Sequence, residues 1–251
     1  MSTFVQRHPV WSLVIFLVVA IFIWAIFAAW PPGLESVIGK KKVFLNSLFN
    51  GITLGALYFL VASGFTLIFG LMKNVNLAHG SLYMVGGYIG YGVAITTGWW
   101  VLSFIVAFIV VAAIGVVLQY AVFRRMEGED LRQTLVTIGI SIVLADLMLW
   151  IMGGNTFQIL APSWLGGPMT LPLVTAVKSS GEPVYMTYPI VRLVILLGAI
   201  AIGVLMWLAL NRTRIGMLIR AGVDDRDMLA ASGVRIQFVF VIVLAFGAGL
   251  A

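Results

Sequence analysis

Apolar residues come in runs of about twenty, the length needed to cross a bilayer as helix, and short polar segments separate them. The first run, 10–30, follows Arg7 and His8 and closes on Pro31 and Pro32. It reads as a retained anchor. A cleaved signal peptide competes with that reading, but the run is too long for a signal core and lacks a clear small-x-small cleavage site. Further runs cover 43–72, 77–97, 99–123, 134–152 and 189–210, and a last one, 236–251, stops with the chain. All are expected to be helices, because open strands cannot satisfy their backbone groups in lipid and barrel strands would alternate with period two. Sixteen residues of helix reach about 24 Å, less than a hydrocarbon core of about 30 Å, so Ala251 is expected to interrupt the last span. The pattern predicts an all-α polytopic membrane bundle of about seven spans, the last one truncated, forming a single transmembrane domain over 1–251.

Composition strengthens this picture. Of 251 residues, 62% are apolar and 10% charged, which leaves too few polar side chains to cover a soluble surface. The net charge of +6 sits in the connections between runs, a distribution that argues for orientation in the bilayer and against nucleic-acid binding. With the N-terminus placed inside, the inner connections receive ten Lys and Arg residues and the outer ones five: Lys40, Lys41, Lys42, Lys178 and Arg192. The positive-inside effect therefore puts the N-terminus in the cytoplasm, with Lys40–Lys42 as the exception. The chain has no cysteine and only two histidines, so neither a metal site nor a cofactor is expected. The outer connection, 153–188, carries four prolines and several glycines, and a short folded cap or a re-entrant piece would fit it.

Four places could carry function. Between the second and third runs, Lys73-Asn74-Val75-Asn76-Leu77-Ala78-His79-Gly80-Ser81 concentrates polar groups between apolar helices. Such groups are tolerated in lipid where they face protein or a watery path. Two readings stand: a discontinuous helix lining a translocation path with Asn74, Asn76, His79 and Ser81, or an ordinary cytoplasmic turn capped by Asn76 and Ser81. Asp146, inside the fifth run, should face the bundle, as a proton or cation site on the path or as a paired or neutral hydrogen-bonding group. Gly51 and Gly55, and Gly86 and Gly90, stand four apart, a spacing suited to close helix–helix contact. Finally, 211–235 contains Arg220, Gly222, Asp224, Asp225, Met228, Leu229 and Gly233, read as a glycine turn, an acidic first turn and a short amphipathic helix stopped by glycine. Val223, Met228, Leu229 and Ala231 give that helix an apolar side. It is expected to dock into another subunit, since its aspartates would be repelled by anionic lipid. No G-x-x-x-x-G-K-[ST] loop is present, so any ATPase driving transport is another chain and this one is no enzyme.

Asn50-Gly51-Ile52-Thr53-Leu54-Gly55-Ala56-Leu57-Tyr58, Gly64-Phe65-Thr66-Leu67-Ile68-Phe69-Gly70 and Asn76-Leu77-Ala78-His79-Gly80-Ser81-Leu82-Tyr83-Met84-Val85-Gly86-Gly87-Tyr88 together resemble the permease subunits of branched-chain amino acid ABC importers. They resemble the member of the permease pair that carries the N-x-A-H-G signature. Arg212 through Gly233 is similar to the family's cytoplasmic coupling segment. The resemblance implies a bacterial or archaeal inner-membrane complex with a second permease, ABC ATPase subunits and an extracytoplasmic solute-binding protein. It implies docking of the ATPase by Gly222 to Gly233 and a gateway at Asn74, Asn76 and His79. Urea or short amides are alternative substrates. An ion-coupled carrier using Asp146 and His79, and a passive channel, are the rivals from other classes.

Overall fold

The computed structural model describes residues 17, 18, 21, 24, 40–159, 161–177 and 181–251, without the side chain of Asp227. All but four positions of the first expected span, and Lys178 in the outer connection, lie outside the described residues. The helices are α1 (Lys41–Met72), α2 (His79–Thr97), α3 (Trp100–Ala121), α4 (Asp130–Met152), α5 (Ile190–Arg212), α6 (Arg214–Asp224), α7 (Arg226–Ala231) and α8 (Ile236–Gly249). Among the described residues, α1, α3 with the 3-10 turn that follows it, α4 and α5 are long and apolar enough to cross a membrane. The chain is thus an all-α polytopic membrane protein. The 14 residues of α8 rise only about 21 Å.

Helix ends fall where backbone chemistry requires. Gly98 and Gly153 close α2 and α4 at positive φ, 69° each, and each amide donates back four residues, to the carbonyls of Ala94 and Leu149. Thr213 caps α6, its hydroxyl accepting from the Gly216 amide at 3.0 Å. α1 ends differently. Lys73, at φ 53°, is the sole non-glycine residue with positive φ among those described, and its amide reaches the Phe69 carbonyl at 2.8 Å.

The chain divides into two compact units. One holds residues up to Ile52 and Gly167–Ile190. Here the connection expected on the outer side folds as an antiparallel hairpin of β1 (Pro168–Val177) and β2 (Pro183–Pro189). Val184, Met186 and Tyr188 share one strand face; Met186 and Tyr188 are buried. The ladder skips between Leu171 and Val174, where Pro172 has no amide to donate. Tyr188 donates to the Asn50 side-chain carbonyl at 3.2 Å, and its ring lies 5.4 Å from that of Phe49.

The other unit, Thr53–Gly166 with Val191–Ala251, holds the larger core. Ile68, Leu71 and Met72 of α1, Phe123, Ile219 of α6, and Val239, Phe240, Val243 and Leu244 of α8 form one buried cluster. Small residues bring α8 close to its neighbours. A Cβ on Gly247 would lie 2.8 Å from the Gly64 carbonyl, and one on Gly115 would lie 2.9 Å from the Ala248 Cβ. Gly86 and Gly90 meet α3 at Val111 and at Ala107. Gly51 and Gly55, by contrast, have nothing within 4 Å, so the close contact expected of that pair is not made within the described residues.

Candidate functional site: a braced break and the helices beneath it

The polar segment between α1 and α2 is held mainly by α4. Asn74 donates to the Gln133 side-chain carbonyl and accepts from the Thr134 hydroxyl at 2.9 Å. The Leu77 amide donates to the Thr137 hydroxyl at 3.1 Å, and the Ser81 and Ser141 hydroxyls lie 2.7 Å apart. Gln133 also donates to the Phe123 carbonyl at 3.3 Å, tying the same helix to the turn after α3. Positions 133, 137 and 141 fall one above another on one face of α4, and 134 flanks them, because side chains four apart line up along a helix. None of these partners follows from local sequence around the break. Their signal in the sequence is a polar stripe at helical period inside an apolar run.

Asn76 and His79 are tied in another way. The Asn76 side-chain oxygen accepts from the Ala78 amide at 3.1 Å, an Asx-type turn that starts α2. The His79 Nε2 lies 3.0 Å from the Val61 carbonyl, and its ring packs on Phe65 with centroids 5.8 Å apart. Asn74, Asn76, His79 and Ser81 are all buried, while Lys73, Leu77 and Gly80 of the same segment are exposed. Among the described residues, Asn76 Nδ2 and His79 Nδ1 have no hydrogen-bond partner. The residues around them, Tyr58, Val61, Ala62, Phe65, Leu77 and Gly80, line an open pocket between α1 and α2.

Asp146 does not join this group. It is exposed on α4, whereas a bundle-facing position was expected. The reason is helical phase: Asp146 lies nine residues, two and a half turns, beyond Thr137 and so points away from the face that braces the break.

The segment after α5 also differs from its expected form. Gly222 is no turn; it lies inside α6, and the chain breaks instead at Asp225. A Cβ at Gly222 would lie 2.7 Å from Leu71 Cδ1 and 3.2 Å from Leu229 Cδ2, so the glycine serves close packing. Asp225 caps α7, its carboxylate accepting from the Met228 amide at 3.0 Å, so the acidic start belongs to Asp225, while Asp224 ends α6. Gly233, at φ 86°, follows α7 as expected of a glycine stop. The expected common apolar side is divided: Leu229 is buried, but Met228 is 73% exposed and Val223 and Ala231 are also exposed. Arg220 donates to the Asn211 side chain at 3.0 Å.

These helices touch the end of α1 directly. Gly222 and Ile219 pack on the cluster containing Leu71 and Met72, and Arg226 donates to the Met72 carbonyl at 3.4 Å. The next residues are Lys73 and Asn74, where the break begins. α6 and α7 therefore lie against the two residues of α1 that immediately precede the polar segment.

Comparison with known proteins agrees with this architecture. The family described as "Branched-chain amino acid transport system / permease component" matches residues 47–251. The high-affinity branched-chain amino acid transport system permease protein LivH of Salmonella typhimurium is 26% identical over 218 residues, covering 83% of this chain and 68% of its own. LivH of Escherichia coli gives the same figures. The permease protein BraD of Pseudomonas aeruginosa is 26% identical over 219 residues, with the same coverage. No solved structure matches the chain. Its match over most of its length, from the α1 motif to the final helix, makes the chain a member of the branched-chain amino acid transport system permease family.

Proposed function

We propose that the chain is a membrane-spanning subunit of an ATP-driven importer in a bacterial or archaeal inner membrane, with its N-terminus in the cytoplasm, and that it conducts branched-chain or related small amino acids. A second permease subunit completes the path, ABC ATPase subunits dock on the segment from Arg220 to Gly233, and an extracytoplasmic solute-binding protein delivers the substrate. The observation that carries this reading is the contact of α6 and α7 with Leu71 and Met72, immediately before a buried polar break. In an ATP-driven importer, a subunit without a nucleotide site moves solute uphill because a partner's cycle changes which side its path opens to. The contact supplies a route for that change, from the exposed Met228 side of α7 to the residues of α1 that lead into the break. Substrate identity rests on the family and on the names of the relatives.

Reconstitution tests the proposal. Proteoliposomes holding both permeases and the ATPases, supplied with binding protein, are expected to accumulate leucine with ATP inside. Accumulation should vanish when the ATPases are omitted and persist when ionophores collapse the ion gradients. Uptake by this chain without ATPase or ATP would overturn the reading in favour of a carrier or channel, and accumulation of urea or short amides in place of leucine would overturn the substrate assignment.

A further inference from the structure

The polar groups at the break divide into two kinds. Asn74 is used at both ends of its amide, by Gln133 and Thr134, and the Ser81 hydroxyl is taken by Ser141. Asn76 and His79 are each used at one end. Because an amide proton, from Ala78, fixes the Asn76 oxygen, the remaining atom, Nδ2, is a donor. Because the Val61 carbonyl can only accept, His79 carries its proton on Nε2, and in the neutral ring Nδ1 is an acceptor. Both side chains are at least nine-tenths buried, at 2% and 4% exposure, and both free atoms are covered in this conformation. A buried donor or acceptor left unmade is costly, and natural proteins keep few of them. Here two stand three residues apart in the wall of one pocket, whose other lining is mainly apolar, Val61, Ala62, Phe65, Leu77 and Gly80, with Tyr58.

We infer that Asn76 and His79 form a substrate-contacting notch for a solute that offers a hydrogen-bond acceptor and a donor beside a small apolar body. An α-amino acid zwitterion has this form: its carboxylate accepts from Asn76 Nδ2, its ammonium donates to His79 Nδ1, and its aliphatic side chain lies on Val61, Phe65 and Leu77. Since both atoms are covered here, the solute meets them when the α1–α2 break opens, and it favours the open form by contacts that the closed form lacks. Asn74 and Ser81 then brace the notch and make no solute contact. The inference rests on the transport reading above and adds which atoms meet the solute.

The test is ligand-dependent thermal stabilisation of the purified permease–ATPase complex, without binding protein, by leucine, by isoamylamine, which lacks the carboxylate, and by 4-methylpentanoate, which lacks the ammonium. Leucine is expected to stabilise the wild-type complex at a concentration at least tenfold below either analogue. Asn76→Asp keeps the oxygen that caps Ala78 and turns the free donor into an acceptor, so it should lose the leucine effect by about tenfold or more and gain one from isoamylamine. His79→Phe should lose the leucine effect, and its unliganded melting point shows whether it folds. Ser81→Ala, which touches only the brace, should keep the order of the three ligands. Equal stabilisation by all three, or an unchanged leucine effect in folded Asn76→Asp, overturns the notch. ATP-driven leucine uptake measured on the same wild-type complex separates the two failures: uptake with no notch signature removes only this inference, whereas ATP-independent uptake removes the reading beneath it.

Discussion

At the scale of single residues, the glycines of this chain have opposite roles that their spacing does not reveal. Gly64 and Gly247 sit where α1 and α8 approach closely, and any side chain at Gly64 runs into the Gly247 backbone carbonyl, which cannot turn aside as a side-chain end could. Gly64→Ala is expected to cost about 1–3 kcal/mol through overpacking, read as a lower melting temperature in detergent. Gly198, exposed in the interior of α5 with nothing within 4 Å, makes the contrast. There Gly198→Ala should be neutral or stabilising by about 0.5–1 kcal/mol, because it removes backbone freedom from the unfolded chain and fills open space. A melting point that falls equally in both variants would contradict the close approach. Lys73 is a related case. A side chain in the left-handed region costs about 1–2 kcal/mol, and the residue sits at the hinge between α1 and the break.

At the scale of elements, α4 is what holds the break, and it does so through Thr137 as much as through Gln133. Thr137 is fully buried, its hydroxyl accepting from the Leu77 amide while donating to the Thr134 carbonyl. Thr137→Val keeps the shape and removes the acceptor, so the Leu77 amide is stranded. The expected cost is about 1–3 kcal/mol, and Thr137→Ser should restore most of it. Hydrogen exchange over residues 73–79 should quicken in the valine variant with little change elsewhere; protection equal to wild type would mean that α4 does not brace the segment. The helices themselves were legible in the sequence, since their apolar runs and the polar breaks between them are long-range features of composition. The Lys73–Ser81 break was legible too, as polar residues where lipid forbids them. What could not be read was the pairing across about sixty residues that joins Asn74 to Gln133 and Ser81 to Ser141, because local spacing gives a stripe but no partner. Asp146 misleads for the same reason: a charge inside an apolar run signals cost, while only the phase relative to Thr137 gives its direction. The hairpin was not legible as strands: the prolines and glycines of 153–188 suggest a short folded or re-entrant piece, and the pairing of β1 with β2 is again a matter of partners that spacing does not give.

At the scale of the whole molecule, the proposed function asks how a partner ATPase would act on a buried polar segment, and α7 gives a way to test it. Two neighbouring apolar residues there have separate surroundings: Leu229 is 8% exposed and packs beside Gly222, while Met228 is 73% exposed. If α7 is the docking element, the two must fail differently. Met228→Asp adds a charge at an already solvated position, so the melting point of this chain should stay within about 0.5 kcal/mol of wild type in stability terms while co-purifying ATPase falls. Leu229→Asp buries an unpaired carboxylate and should cost several kcal/mol, disturbing the fold as well as the partnership. Asp225→Ala lies between them: it removes the cap on the Met228 amide, worth about 1 kcal/mol, so α7 should fray and ATPase binding weaken with the core intact. The informative measurement is the pair of ratios, ATPase retained and stability retained, in the three variants. Normal ATPase recovery with Met228→Asp would move the docking surface off α7. Loss of ATPase only in step with loss of stability would mean that α6 and α7 serve this chain's own core, and the contact with Leu71 and Met72 would then be packing without transmission.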